Sequence, residues 1–346
     1  MVVACDSGVV SVLLGDGRGS FTGPTNFAAG DHPRSVALGD FTGDGHLDAA
    51  VAVSDFHVAV LFGDGAGGFG PPALFSVGPG RPGSTNYSAV AAGDLNRDGH
   101  LDLACAGQGT SAVSVLLGDG TGQLAAPRLI PQFNAPKAIA LADFDGDGHL
   151  DIAITNNGPG LTVLRGDVAG NFTFAAAISL TAAGAVAAGD FNGDGRLDVA
   201  AIGSRGLASG PATLAVALGD GKGRFAPPAF FPFGARDYSG AQPDPTQLGV
   251  ADLDGDGHLD IAVPNPAGNE VAVLPGNGDG TFGEAETYAT DGLGPVGVAH
   301  GDFTGSGEPD LVVANYTSDT VGILVNAGRT GANAGRSESS RRHRAA

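Results

Sequence analysis

Short apolar runs alternate with glycine- and aspartate-rich turns along almost the whole chain. One set of runs ends on an aspartate: SVALGD, SAVAAGD, AIALAD, AVAAGD, LGVAD and VGVAHGD. A second set follows a few residues later: LDAAVAV, LDLACAG, LDIAIT, LDVAAI, LDIAVP and PDLVVAN. A third usually ends in Gly-Asp-Gly, as in VAVLFGDG, VSVLLGDG, LTVLRGD, LAVALGDG and VAVLPGNG, and a fourth begins near Phe69, Leu124, Phe172, Phe225 or Phe282. No stretch sustains a helical period, whereas short runs of this length bounded by turn residues read as strands. Four short strands in every fifty or so residues predict an all-β fold, a β-propeller built from four-stranded blades.

The third-strand motif occurs seven times, from VVSVLLGDG to VGILVN. That count predicts seven blades, the first and last incomplete. A six-bladed ring is the alternative, in which the final three strands would pair with the Phe21 segment. Aligned on LVVAN, the opening MVVAC begins one residue after the place where a loop aspartate would stand. An upstream start, with one more loop and room for a secretion signal, is therefore the expectation. The propeller is expected over residues 1–327. Residues 328–346, polar and basic, are expected to form a disordered tail.

Between the first and second strands of each repeat lies a nine-residue loop: DFTGDGHLD, DLNRDGHLD, DFDGDGHLD, DFNGDGRLD, DLDGDGHLD and DFTGSGEPD. Oxygen-bearing side chains recur at positions 1, 3, 5 and 9, and position 7 would offer its backbone carbonyl. Calcium takes six to eight hard oxygen ligands, and carboxylates at alternate positions can converge on one ion. The candidate ligands are Asp40, Thr42, Asp44, His46 and Asp48; Asp94, Asn96, Asp98, His100 and Asp102; Asp143, Asp145, Asp147, His149 and Asp151; Asp190, Asn192, Asp194, Arg196 and Asp198; Asp252, Asp254, Asp256, His258 and Asp260; and Asp302, Thr304, Ser306, Glu308 and Asp310. Position-7 residues (His46, His100, His149, Arg196, His258, Glu308) would act through the carbonyl alone. Five calcium ions are expected. The sixth loop is weaker, because Ser306 replaces an aspartate and Pro309 stiffens position 8. An EF-hand reading fails, since strand residues such as Ile154 and Val263 stand where its bidentate glutamate belongs. Nine-residue β-helix repeats fail on period. The Gly-Asp-Gly element after the third strand reads as a hairpin turn, with one acidic residue each time. Phe or Leu at loop position 2, and Leu at position 8, are expected to pin the loop between blades.

Charge supports the loop reading. The net charge is −20, and nineteen acidic residues occupy ligand positions in the six loops. Six calcium ions would bring the total near −8. A chain this acidic repels nucleic acid, and no apolar run is long enough to span a membrane. Cys5 and Cys105 lie on corresponding strands of different repeats, so no disulfide is expected between them.

The loops, their period and the FTGP, FGPP and FAPP steps after the third strand resemble FG-GAP repeats, more closely the bacterial VCBS-type members, and the same repeat builds the integrin α-subunit propeller. The resemblance implies calcium in the loops, a secreted or cell-surface location, and a part in adhesion or carbohydrate recognition. It carries over no catalytic residue. The leading expectation is a non-enzymatic calcium-binding adhesion module, monomeric, taking a protein or glycan ligand on the face opposite the calcium loops. Longer insertions fall there: Gly80–Tyr87, Gly203–Pro211, and Gly234–Gln247 with Arg236, Asp237 and Tyr238. A polysaccharide-active enzyme on a propeller scaffold and a structural segment of a larger surface protein are the alternatives. The chain has no Trp and four Tyr, few platforms for stacking sugars. Four of its eight His repeat by blade at loop position 7; His32, His57 and His300 break the pattern, without an evident partner.

Overall fold

The structure, a computed structural model, describes the chain apart from residues 55, 79–86, 108, 110, 159, 182, 204–210, 235–244, 329–342 and 345–346. Seven antiparallel sheets follow one another in chain order. Blade one has three strands, Val2–Cys5, Val9–Val12 and Thr25–Ala28. Blade two has Ser35–Gly39, Asp48–Val53, His57–Leu61 and Ala73–Ser76, and blade three has Tyr87–Gly93, Asp102–Gly107, Ala112–Leu116 and Arg128–Pro131. Blade four has Ala138–Ala142, Asp151–Thr155, Gly160–Gly166 and Phe172–Ser179, and blade five has Val186–Gly189, Asp198–Ile202, Ala212–Ala217 and Ala229–Gly234. Blade six has Gly249–Ala251, Asp260–Asn265, Glu270–Leu274 and Glu286–Ala289. Blade seven has Pro295–Gly301, Asp310–Asn315, Thr320–Leu324 and His343–Arg344.

First strands of successive blades pack on one another around the ring, which places them innermost. Second strands are almost wholly buried, as in Asp48–Val53 and Asp102–Gly107, because both of their faces meet a neighbouring blade. That double burial explains why they read as continuous apolar runs instead of alternating ones. Fourth strands alternate exposed and half-buried positions and form the rim.

Seven blades form, and the six-bladed alternative does not. Phe21 stays in blade one, bridged to Gly15, and the last three strands take His343–Arg344 as their fourth, pairing Thr320 with Arg344 and Val321 with His343. Most of the expected tail lies outside the described residues. The two ends of the ring pack together: Met1, Val3 and Phe21 lie against Val312, Val321 and Ile323. The Gly19 N–H donates to the Phe303 carbonyl at 2.8 Å.

The acidic loops are pinned through the apolar positions the pattern singles out, with one exception at Leu47. Position 2 reaches forward. Phe144 meets Phe225, Phe191 meets Phe282 and Phe303 meets Phe21 edge-on, with ring centres 5.6, 5.7 and 5.8 Å apart. Position 8 reaches back: Leu101, Leu150 and Leu259 lie over Gly39, Gly93 and Gly189 of the preceding inner strands, where a Cβ would collide. Leu47 is 62% exposed, since among the described residues blade one has no inner strand to receive it.

The last aspartate of each loop is buried and clasps the blade. In blade four Asp151 Oδ2 accepts the Phe144 N–H at 2.9 Å and Oδ1 accepts the Gly166 N–H at 2.8 Å. The same pair of bonds recurs at Asp48, Asp102, Asp198, Asp260 and Asp310. One carboxylate thus ties the loop, the second strand and the turn after the third. Asp151→Ala leaves two buried N–H groups without acceptors and should cost about 2–5 kcal/mol. Asp167→Ala, at an exposed turn, should cost less than about 1 kcal/mol. Denaturant unfolding of both variants in chelator checks this, and equal losses would refute the clasp.

Candidate metal centres in the blade loops

Glycines at loop positions 4 and 6 adopt positive φ, for example 75° at Gly146 and 84° at Gly148. This left-handed backbone folds the loop around its first aspartate. Asp143 accepts the N–H groups of Gly146 at 2.7 Å, Asp147 at 3.2 Å and Gly148 at 2.8 Å. Asp40, Asp252 and Asp302 repeat this set. Asp94 and Asp190 accept the last two N–H groups. In the Asp94 loop Arg97 takes the position-4 turn at φ 58° without a glycine's freedom.

Position 5 turns back on position 7. Asp44, Asp98, Asp147, Asp194 and Asp256 each accept the N–H of the residue two places on, at 2.8–2.9 Å. Ser306 Oγ takes the Glu308 N–H at 3.2 Å and stands 3.5 Å from the Glu308 carbonyl oxygen, so that carbonyl faces into its loop. At position 3, Asp145 and Asp254 accept from Asp147 and Asp256. Thr42 and Thr304 bond within their loops. Asn96 and Asn192 donate their amides to Asp98 and Asp194 at 2.8 and 3.2 Å.

Two loops draw carboxylates close together. Oxygens of Asp143, Asp145 and Asp147, and of Asp252, Asp254 and Asp260, lie within 4.8 Å of one another. These are the two loops with aspartate at all four side-chain positions. Clustered carboxylates repel unless a cation offsets them, and this donor set of hard oxygens suits calcium. In the other four loops, neutral oxygens at position 3, with Ser306 in the last, leave fewer charges to gather.

Burial raises the acids that close four of the loops. Asp102 and Asp151 are pushed up to about 6, and Asp198 and Asp260 upward, against the pull of their two N–H donors. Asp98 and Asp94 add like charge at Asp102, as do Asp145 and Asp143 at Asp151. At the loop's other end, the N–H of Gly45 holds Asp40 below the usual carboxylate range, and the N–H of Gly307 does the same for Asp302.

The Gly-Asp-Gly turns act as docking surfaces as well as hairpins. N–H groups of Gly122, Gly223 and Gly280 donate to the carbonyls of Phe41, Phe144 and Phe191 in the preceding blade's loop, at 2.9, 3.3 and 3.0 Å. Their second glycines also make room for position 7: a Cβ on Gly65, Gly120 or Gly278 would strike the ring of His46, His100 or His258. The histidines therefore rest on the neighbouring turn instead of reaching freely into solvent.

A second group of polar residues gathers where antiparallel strand order puts the opposite face. Asp6 Oδ1 meets His32 Nδ1 at 3.0 Å and the Arg34 guanidinium at 3.5 Å. Tyr316 Oη donates to Asp6 Oδ2 at 3.5 Å, and Arg34 lies 5.8 Å from the Tyr316 ring centre. His32 thus has a partner 26 residues earlier in the chain, and Tyr316, 310 residues from Asp6, joins them through ring closure. Arg236, Asp237 and Tyr238 lie outside the described residues, as do most of the three insertions. Cys5 and Cys105 are buried free thiols.

A family model for the FG-GAP-like repeat matches residues 1–51, 94–154, 143–201 and 252–313. No curated protein sequence matches. Among solved structures, a lectin of Agrocybe aegerita, described as recognising non-reducing terminal N-acetylglucosamine, is 21% identical with a TM-score of 0.63, over 98% of this chain and 88% of its own. A putative 6-phosphogluconolactonase of Bacteroides fragilis is 14% identical with a TM-score of 0.59, over 85% and 80%. Virginiamycin B lyase of Staphylococcus aureus is 12% identical with a TM-score of 0.54, over 90% and 84%. At these identities the likeness is one of fold. Among the described residues, no helix is long and apolar enough to cross a membrane.

The raised acids set a pH dependence for chelated protein. Folding favours their neutral form, so their contribution is complete below about pH 4 and is lost as pH rises through about 6. The lowered acids Asp40 and Asp302 act in the opposite sense, and only below about pH 4. Melting temperature in chelator should therefore fall between about pH 4.5 and 7. A rise over that window in calorimetric scans would contradict the assignment.

Proposed function

Because the chain belongs to the FG-GAP-like repeat family, we propose that it is a calcium-stabilised, non-enzymatic binding or adhesion module that works outside the cell. The observation that carries this is the convergence of three carboxylates in each of the two all-aspartate loops. Asp143, Asp145 and Asp147 would hold one ion, with Asp151 and the His149 carbonyl completing the set. Asp252, Asp254, Asp256 and Asp260, with the His258 carbonyl, would hold another. The remaining loops would bind through the corresponding positions. Position-9 acids spend one lone pair of each oxygen on the clasp and keep others for a metal. The ion supplies positive charge that offsets the loop's own repulsion.

The ligand, a protein or a surface glycan, belongs to the opposite face, where Asp6, His32, Arg34 and Tyr316 present charge, hydrogen-bonding groups and an aromatic ring at the surface. Net charge of −20 disfavours nucleic acid. Nothing in the reading requires an oligomer or insertion into a membrane. A polysaccharide-active enzyme is the second reading, favoured by a non-repeated acid–histidine pair among the described residues, Asp6 with His32. It requires glycan turnover that Asp6→Asn abolishes while glycan binding survives.

Metal analysis of purified protein should find five or six calcium ions per chain, and chelator should lower the melting temperature by about 10 °C or more. Folded material that is metal-free and indifferent to chelator refutes the calcium reading. For the ligand face, Arg34→Ala with Tyr316→Ala should weaken binding on a glycan and matrix-protein array about tenfold. The calcium-loaded melting temperature of that variant serves as the folding control. Unchanged binding by it would move the ligand elsewhere.

A further inference from the structure

Arg165 occupies a place where every other blade carries an apolar residue. One position before the end of the third-strand motif stand Leu14, Phe62, Leu117, Leu218, Pro275 and Val325. Leu14, Phe62, Leu117 and Leu218 lie over a turn glycine of the next blade, Gly67, Gly122, Gly170 and Gly280 respectively. Arg165 lies over Gly223 in the same way, but its guanidinium does more than fill the seam. Its Nε pairs with Asp145 Oδ2, and its NH2 donates to the Lys222 carbonyl at 3.1 Å. The Asp145 side chain is only 5% exposed, and its other oxygen accepts the Asp147 N–H at 3.2 Å inside the loop. One carboxylate is shared between the loop and a guanidinium.

We propose that Arg165 is a built-in counter-cation that competes with calcium for the Asp143 loop. It makes this loop a weaker and more readily emptied site than the Asp252 loop, although both have the same four aspartates. The inference rests on the calcium reading above and concerns the ranking of its sites. Affinity in oxygen-ligand loops follows the charge gathered at the site and its rigidity. Arg165 cancels one of four negative charges, relieves the repulsion that otherwise favours ion entry, and repels the incoming dication. In the Asp252 loop the corresponding residue is Pro275, which carries no charge. The guanidinium also has somewhere to go. Arg165 borders an open groove of about 540 Å³ with Phe174, Lys222 and Arg224, so it can leave Asp145 as an ion arrives, at the cost of approaching two like charges.

Calcium titration calorimetry on the full chain tests this with Arg165→Leu, Asp147→Asn and the double variant. Leucine is the residue that fills the same seam in three other blades. Arg165→Leu should tighten one site about tenfold and leave the rest unchanged, and Asp147→Asn should abolish that gain. No change, weaker binding, or a gain that persists with Asp147→Asn overturns the role of Arg165 while the calcium reading stands. Failure of the native chain to bind calcium overturns both.

Discussion

The structure hangs on a buried carboxylate that satisfies two backbone N–H groups from separate parts of the same blade. Asp48, Asp102, Asp151, Asp198, Asp260 and Asp310 each start a second strand, and each is almost wholly buried. The loop before that strand and the turn after the third would otherwise leave donors in a dry environment, where an unmet donor is costly. Placing a carboxylate there solves the backbone problem and creates an electrostatic one, since a desolvated charge now sits beside other aspartates. A metal ion in the loop, as proposed above, would answer the second problem and make the acidic loop and the blade clasp one device.

That device also bears on how a ring closes when, among the described residues, no strand is shared between its ends. The loops of Phe41, Phe144, Phe191 and Phe303 each present a carbonyl to the turn of the following blade, and Phe144, Phe191 and Phe303 add a ring contact. Phe303 of blade seven offers both to blade one, through the Gly19 N–H and the Phe21 ring. Closure is the same contact already used between blades four and five and between five and six. On the opposite face Tyr316, Asp6 and Arg34 bridge the same junction.

Much of this was legible in the chain. The period of the loops and the four apolar runs give the blade, and the seven third-strand motifs give the blade count, because both signals are local. Phe or Leu at loop position 2 signals the seam for the same reason. Other features were hidden, since they depend on direction or on distant partners. Residue type cannot reveal that the oxygens of Asp151 point at the N–H groups of Phe144 and Gly166. It cannot show that His46 rests on Gly65, or that Tyr316 meets Asp6. The strand at His343–Arg344 carries no apolar pattern, and it forms by offering backbone groups to the open edge of Thr320–Leu324.

Repetition makes the departures informative. A propeller whose blades share one loop needs only one solution to the clasp, and all six loops keep its position-9 acid. Variation is therefore tolerated where it adjusts charge without touching the clasp: Thr42, Asn96, Asn192 and Thr304 at position 3, Ser306 at position 5, and Arg165 beside Asp145. All of these change the net charge gathered in or beside a loop, and none alters the position-9 acid that holds the blade. The fold thus separates two demands that share one nine-residue segment. The buried end is fixed by backbone hydrogen bonding, and the open end is free to be graded in charge from one blade to the next.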